Sequence, residues 1–163
     1  MKVTLYMATS LDGFIAKSDM STNWISDRDF EIFDNKMKEH GCIILGNTTF
    51  KEVWETPWII NIVVSNSPQE DTDNMYYVWN PKEAIELCKK LHMETPLIIG
   101  GGKINGSFLE KNLIDEVIID IQPVILGRGI RLFENIEKFV ELDFVEHKSV
   151  EGGLNILRYK IQK

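Results

Sequence analysis

Pro96-Leu-Ile-Ile-Gly100-Gly-Gly-Lys-Ile-Asn-Gly-Ser-Phe-Leu109 is the stretch on which the fold turns. Leu97, Ile98 and Ile99 make a short apolar run of the kind a buried strand takes, three glycines end it, and Ile104, Phe108 and Leu109 then recur at helical spacing. The stretch predicts a strand, a glycine turn and the start of a helix. Glycine there lets the backbone take positive φ and lets a ligand come up against the peptide itself. The first turn of the following helix aims free N–H groups and the positive end of its dipole at the same spot, which suits a phosphate. Two readings stand side by side at this point: a dinucleotide pyrophosphate site, or a tight strand-to-helix turn with no ligand.

A Rossmann fingerprint is the obvious comparison, because the strand expected over Glu116–Asp120 ends in an acid at a suggestive distance. The spacing argues against it. After Gly100 and Gly102 the third glycine is required at position 105, which is Asn105, and the one available is Gly106. The turn also lies late in the chain with no run of βαβ units after it, whereas a Rossmann fold carries its fingerprint on the first strand.

A chain of 163 residues is most simply one domain, 1–163, large enough to bury a core without disulfides or a structural metal. Its formal net charge of −7 argues against a nucleic-acid or anionic-membrane surface, so an anionic cofactor must be held by local devices such as helix N-termini. Cys42 and Cys88 lie far apart, outside any CxxC or His-rich spacing, which predicts buried reduced thiols in a cytoplasmic protein and no metal site. The longest apolar run, Trp58–Val64, is interrupted by Asn61 and is too short to span a bilayer. Met1–Ala8 alternates like a strand and lacks the apolar core of a signal peptide.

Taken in order, residues 2–9 predict a first central strand, followed by a turn at Asp12-Gly13. Ser26 as N-cap with Asp29 at N3, an apolar face of Phe30, Phe33 and Met37, and a stop at Gly41 predict a helix over Asp27–His40. Cys42–Leu45 predicts a buried strand that Gly46-Asn47-Thr48-Thr49-Phe50 turns into a second helix reaching about Trp54. Strands are expected over Ile59–Val64 and Met75–Val78, and Asn80-Pro81 opens a helix over Lys82–Leu91. Glu116–Ile121 is followed by the apolar segment Val124–Leu126 and a Gly127-Arg128-Gly129 turn. Val140–Val150 and Leu154–Ile161 then pair as an antiparallel hairpin around Glu151-Gly152-Gly153. This order means a three-layer α/β/α fold, a mixed and mostly parallel sheet with an antiparallel edge. Ligands in such sheets sit at the carboxyl ends of strands, where the loops at Gly46, Ser65 and Gly100 fall.

Three segments in that order, Gly-Asn-Thr-Thr-Phe (46–50), Val-Val-Ser-Asn-Ser (63–67) and Ile-Ile-Gly-Gly-Gly-Lys-Ile (98–104), resemble the NADPH-binding order of dihydrofolate reductases. The opening Ala-Thr-Ser-Leu-Asp-Gly-Phe-Ile-Ala (8–16) and Thr-Asn-Trp-Ile-Ser (22–26) resemble the reductase domain at the C-terminus of the bifunctional riboflavin-biosynthesis deaminase-reductase. The chain is similar, from residue 3 to about 161, to a free-standing member of that group without a deaminase half.

The resemblance implies a dihydrofolate reductase-like fold and hydride transfer from NADPH to a flat heterocycle, as in 5-amino-6-(5-phosphoribosylamino)uracil reductase. It also implies a homodimer, with a small-molecule substrate rather than nucleic acid or membrane as partner. Gly46, Asn47, Thr48 and Thr49 would hold a cofactor phosphate, and Ser65, Asn66 and Ser67 would reach the adenosine end. Gly101, Gly102, Lys103 and Ile104 would cradle the pyrophosphate, and Ala8 and Ile15 would border the nicotinamide. The peptide joining the first two glycines is cis in the family, which by analogy is Gly100-Gly101. Asn47 stands where many dihydrofolate reductases carry arginine, so a cationic grip on the 2′-phosphate falls to Lys51 or another loop, and NADPH is favoured over NADH by the resemblance alone.

Dihydrofolate reductases use a carboxylate on the first helix, and alignment on Phe33 places Asp29 nearest that position, with Glu31 second to it. The competing role for Asp29 is an N-terminal helix acid favoured by the macrodipole. Asp12 serves either the substrate or its own turn, Trp24 either walls the pocket or belongs to the core, and Thr22 is a further candidate on the substrate side. The segment that fixes a ribose phosphate in the riboflavin reductase is here Val-Trp-Glu-Thr-Pro-Trp (53–58), which has no base. Lys38 and Arg128 are the candidate replacements, against a plain reading as solvated surface charges. Two alternatives accompany the reductase: a true dihydrofolate reductase, and a non-catalytic nucleotide-binding protein that kept the cofactor loops.

Overall fold

The computed structural model describes residues 1–52 and 56–163. Alternation along its first strand, β1 (Thr4–Thr9), sets both cores of the molecule. Leu5, like Val3 before the strand, enters one apolar cluster, and Tyr6 enters the other. A strand buried on both faces in this way is the signature of a central position in a parallel sheet. After the short β2 (Phe14–Ala16) comes α1 (Asp27–His40), with the boundaries that its caps dictate. The Ser26 hydroxyl accepts the Asp29 N–H at 3.2 Å, and Gly41 closes the helix in the left-handed conformation at φ +67°.

The chain continues through β3 (Cys42–Gly46), α2 (Asn47–Glu52), β4 (Ile60–Val64) and β5 (Met75–Val78). It then forms α3 (Pro81–Lys90), β6 (Leu97–Ile98), α4 (Gly102–Glu110) and β7 (Glu116–Ile121). Asn80 caps α3 by accepting the N–H groups of Lys82 and Glu83, with Pro81 at the first helical position. The two-residue β8 (Ile130–Arg131), β9 (Leu142–Val150) and β10 (Leu154–Ile161) complete it.

Eight strands form one sheet in the order β5-β4-β3-β6-β1-β7-β10-β9. Every pair from β5 to β7 is parallel, and β10 then pairs antiparallel with both β7 and β9. The α1 side of the sheet buries Tyr6, Ile43, Leu45, Val63 and Ile118, with Phe33 of α1 and Phe50 of α2 packed on them. Val3, Leu5, Ile44, Ile62 and Ile98 on the opposite side meet Ala84 and Ile85 of α3 and Phe108 and Leu109 of α4. The expected three layers, mostly parallel sheet and terminal hairpin are all present.

One pairing goes beyond the sequence reading: Phe14–Ala16 and Ile130–Arg131 form a second, antiparallel sheet, while the apolar segment Val124–Leu126 runs as a loop whose backbone Asp12 and Gln122 engage. The part of the second helix beyond Glu52 expected to reach Trp54 lies outside the described residues.

β8 and the segment after it are laced along α4. The Asn105 amide donates to the Leu132 carbonyl at 2.8 Å, and the Glu134 N–H donates to the Gly102 carbonyl at 3.0 Å. Gly106 allows this approach, because a Cβ there would lie 1.9 Å from the Glu134 carbonyl oxygen. Gly106→Ala is therefore expected to destabilise the fold by about 1–3 kcal/mol, the usual range for overpacking. Lys111→Ala, at the exposed end of the same helix, stays within about 0.5 kcal/mol of the wild type. Urea unfolding of the two variants checks this, and equal midpoints would show that the strap does not press on α4.

Candidate functional site

Because β1, β3, β4, β6 and β7 are parallel, the loops that leave their carboxyl ends emerge at one rim. Backbone contacts join two of them. The Gly46 N–H donates to the Gly100 carbonyl at 2.9 Å, and the Ile99 N–H donates to Ile44 at 3.0 Å. The Gly100-Gly101 peptide is cis, as the resemblance implies. The loops are closely packed: a Cβ on Gly46 would sit 2.8 Å from Ile104 Cγ1, closer than carbon atoms approach without a shift, and one on Gly101 would crowd the Thr49 hydroxyl at 3.3 Å. Gly100 adopts φ +99° under the Met7 sulfur, a conformation open to glycine.

The loops enclose a cleft of about 670 Å³. Gly46, Asn47, Thr48 and Thr49 line it, as do Ser65, Asn66, Ser67, Gly101, Gly102, Lys103, Ile104 and Ile15. Two of the expected cofactor residues do not. Gly100 gives its carbonyl to Gly46, and Ala8 is buried, paired across the sheet with Asp120. Thr22 joins the lining from the substrate set, together with Met20 and Ser21 of the same loop. Met7, Ile99, Ile130 and Glu134 also line the cleft and were not anticipated. Among its described residues Lys103 and Glu134 are the charged ones, so the cleft offers an anion no net formal charge. What it offers is N–H groups: α4 begins at Gly102, and its N-cap residue Gly101 has no side chain to take up the first-turn donors at the rim.

A second group lies under the rim on the α1 side. Tyr6 donates its hydroxyl to Asp29 Oδ1 at 2.8 Å, and its ring stacks on Phe33 with centroids 5.8 Å apart. Asp29 is 3% exposed and Asp120 is wholly buried, with no donor to either Asp120 oxygen. Burial, then the neighbouring Asp29, pushes the Asp120 carboxyl up to about 7. Burial also raises Asp29, with the neighbouring Asp120 and the Tyr6 hydroxyl acting to lower it, and burial followed by the Asp29 charge raises the Tyr6 phenol. Gln122 accepts the Ser26 N–H at 3.2 Å and leaves its own amide nitrogen unpartnered, as is the buried Trp24 indole N–H. Trp24 and Asp29 are thus part of this layer and do not line the cleft itself.

The remaining candidates are placed elsewhere. The Asp12 carboxylate accepts the N–H groups of Leu126 at 3.1 Å and Gly127 at 2.7 Å, so it ties its own turn to the 124–127 loop and does not face the cleft. The Ser10 hydroxyl and then those backbone donors hold it below the usual carboxylate range. Lys38 sits on the exposed face of α1, where Asp34 one turn earlier pairs with it, and it does not reach the cleft. Arg128 is exposed on the turn before β8, two residues from Ile130, and is not a lining residue either. Val53, Trp54 and Glu55 of the expected phosphate segment lie outside the described residues, and Thr56 is buried, donating to Asn61. No helix among the described residues is long and apolar enough to cross a membrane.

Comparison with known proteins agrees with this architecture. The Bacillus subtilis (strain 168) uncharacterized protein YwjB is 30% identical over 153 residues, 86% of this chain and 87% of that one. A putative riboflavin biosynthesis protein from Shewanella sp. PV-4 superposes with a TM-score of 0.84 at 24% identity, covering all of both chains. The Thermotoga maritima diaminohydroxyphosphoribosylaminopyrimidine deaminase/5-amino-6-(5-phosphoribosylamino)uracil reductase superposes with a TM-score of 0.79 at 16% identity. That match takes in 99% of this chain and 56% of the Thermotoga protein, so this chain spans about half of the bifunctional one. Residues 1–156 match the RibD C-terminal domain, and the chain belongs to that family.

Proposed function

We propose that this protein is an NADPH-dependent reductase that transfers hydride to a flat heterocycle of the phosphoribosylaminopyrimidine type. One observation carries the proposal. Loops separated by up to 58 positions, from Gly46 to Ile104, line a single cleft at the carboxyl rim of a parallel sheet. Its volume of about 670 Å³ falls within the usual range for small-molecule sites. The residues present fit a dinucleotide. Gly46 and Gly102 are held glycine by packing against Ile104 and the Arg131 carbonyl, which keeps the loop backbones close together at the cleft wall, and the uncapped start of α4 presents N–H donors there. Thr48, Thr49 and Ser65–Ser67 add hydroxyls, amides and backbone donors along the same wall.

In this assignment Gly101–Ile104 take the pyrophosphate, Ser65–Ser67 the adenosine end, and Ile15 and Met7 supply an apolar wall for the nicotinamide. When bound, NADPH supplies the hydride; the protein supplies orientation and a dry pocket. The 20–22 loop covers the substrate side. NADPH is preferred to NADH by family, with Lys103 and Lys51 as the cations available for the extra phosphate. Free, buried Cys42 and Cys88 accord with a cytoplasmic setting. Asp29 is held away from the cleft lining, which does not favour a true dihydrofolate reductase.

At a hundred times its dissociation constant a ligand adds about 2.7 kcal/mol of stability. Saturating NADPH is accordingly expected to raise Tm by roughly 5–10 °C, since each kcal/mol shifts a chain of this size by about 2–4 °C. NADH gives a smaller shift, and Thr49→Val weakens NADPH about five- to tenfold by removing one cleft hydroxyl. No shift with either nucleotide would overturn the cofactor assignment. Loss of NADPH absorbance with 5-amino-6-(5-phosphoribosylamino)uracil, and none with dihydrofolate, is the expected turnover pattern; NADPH affinity with no turnover on either would identify a binding protein.

The homodimer belongs to the same proposal and is supported by the outer strand. β9 ends the sheet and exposes Leu142, Phe144 and Val145, and Phe139 just before it is 87% exposed. Light scattering should give twice the chain mass for the wild type and the single mass for a Phe139→Ser, Phe144→Ser variant; a monomeric wild type contradicts this.

A further inference from the structure

Among the described residues that line the cleft, Glu134 is the one carboxylate, and its backbone is fixed on both sides. Its N–H donates to the Gly102 carbonyl at 3.0 Å, and its own carbonyl oxygen stands where a Cβ on Gly106 would lie 1.9 Å away. The side chain then runs over the first residue of α4: a Cβ on Gly102 would meet Glu134 Cγ at 3.0 Å and Cδ at 3.4 Å. Among the described residues no hydrogen bond or salt bridge engages the carboxylate, Lys103 included. A strong acceptor is thus set in the cleft by a pinned backbone, with no donor from the chain itself.

The strap that carries Glu134 defines what it faces. Ile130 pairs with Ala16, Arg131 pairs with Phe14, and the Leu132 N–H donates to the Gly13 carbonyl, so the strap starts beside Ile15 and ends at the start of α4. In the cofactor assignment above, on which this inference rests, Ile15 borders the nicotinamide and Gly101–Ile104 take the pyrophosphate. The part of the dinucleotide that joins those two is a ribose with adjacent hydroxyls. An ionised carboxylate accepts hydrogen bonds and donates none, so it suits hydroxyls and opposes phosphate. We propose that Glu134 binds the cofactor's nicotinamide-side ribose, its carboxylate accepting hydrogen bonds from the ribose hydroxyls. The contact fixes the turn of the nicotinamide relative to the pyrophosphate, which is the orientation that hydride transfer needs. It also gives a reason for an acid beside an anion-binding helix start, since the hydroxyls lie between the carboxylate and the phosphates.

Calorimetry in buffer containing EDTA tests this with NADPH, with 2′-phospho-ADP-ribose, which keeps that ribose but lacks nicotinamide, and with 2′,5′-ADP, which lacks both. Glu134→Ala is expected to weaken the first two about tenfold, and Glu134→Gln less, because it keeps one acceptor oxygen. Both variants should bind 2′,5′-ADP as the wild type does, and their ligand-free unfolding midpoints should not move, because the bonds that pin the strap are backbone bonds. Tighter NADPH binding by the variants would show a carboxylate that only repels phosphate. A loss confined to NADPH would place the contact on the nicotinamide amide, and an equal loss of 2′,5′-ADP or a lowered midpoint would show a structural role. NADPH binding that appears only when Mg²⁺ is added would show a cation bridge. Each of these overturns the proposal while leaving the cofactor assignment in place, whereas a wild-type chain that binds none of the probes under either condition overturns both.

Discussion

The hydrogen bond from the Gly46 amide to the Gly100 carbonyl ties the end of β3 to the end of β6, and the site depends on it. It is available because both strands run parallel, with β6 inserted between β3 and β1 late in the chain. The chain leaves β1, skips a place, builds β3, β4 and β5 outward, and then returns through α3 to fill the gap. A crevice opens at such a reversal of strand order, outside the carboxyl ends. Packing then narrows it. Ile104 of α4 presses on Gly46, Thr49 stands over Gly101, and the 130–134 strap seals the far side through Asn105 and the approach that Gly106 allows.

For the anionic cofactor we propose, this arrangement resolves the conflict with an acidic chain. With a net charge of −7, and with Lys103 and Glu134 offsetting each other in the cleft, no positive field draws a phosphate in. Backbone N–H groups at the start of α4 do not depend on net charge, are fixed in direction by the helix, and act only at short range. The same economy holds under the rim on the α1 side. The acids there are buried below the rim, where desolvation governs their protonation, and the solvated lysine and arginine candidates of the sequence are spent on surface pairing or on a turn.

Elements whose ends carry local chemistry were legible from the sequence. Ser26 and Gly41 fix α1, and Asn80-Pro81 fixes the start of α3, because a cap acts on its own neighbours within one turn. The rim loops were legible too, since glycine and hydroxyl clusters after apolar runs mark strand-to-helix turns at the carboxyl side. What escaped depends on partners far away in sequence. β2 and β8 are three and two residues long, and each is a strand only because the other lies beside it. Glu134 and Ile130 enter the cleft through the strap on α4, and Asp120 reads as an ordinary strand end until α1 lays Asp29 against it. Lys38 was misplaced for a related reason: charge alone does not tell which face of a helix a lysine occupies, and Asp34 one turn earlier holds it to solvent.

Amide chemical shifts recorded during an NADPH titration test the central claim most directly. If separate turns grip one dinucleotide, the N–H signals of residues 46–49, 65–67 and 101–104 move together and fit a single dissociation constant. Movement confined to one of these loops, or separate constants for 46–49 and 101–104, would contradict the account.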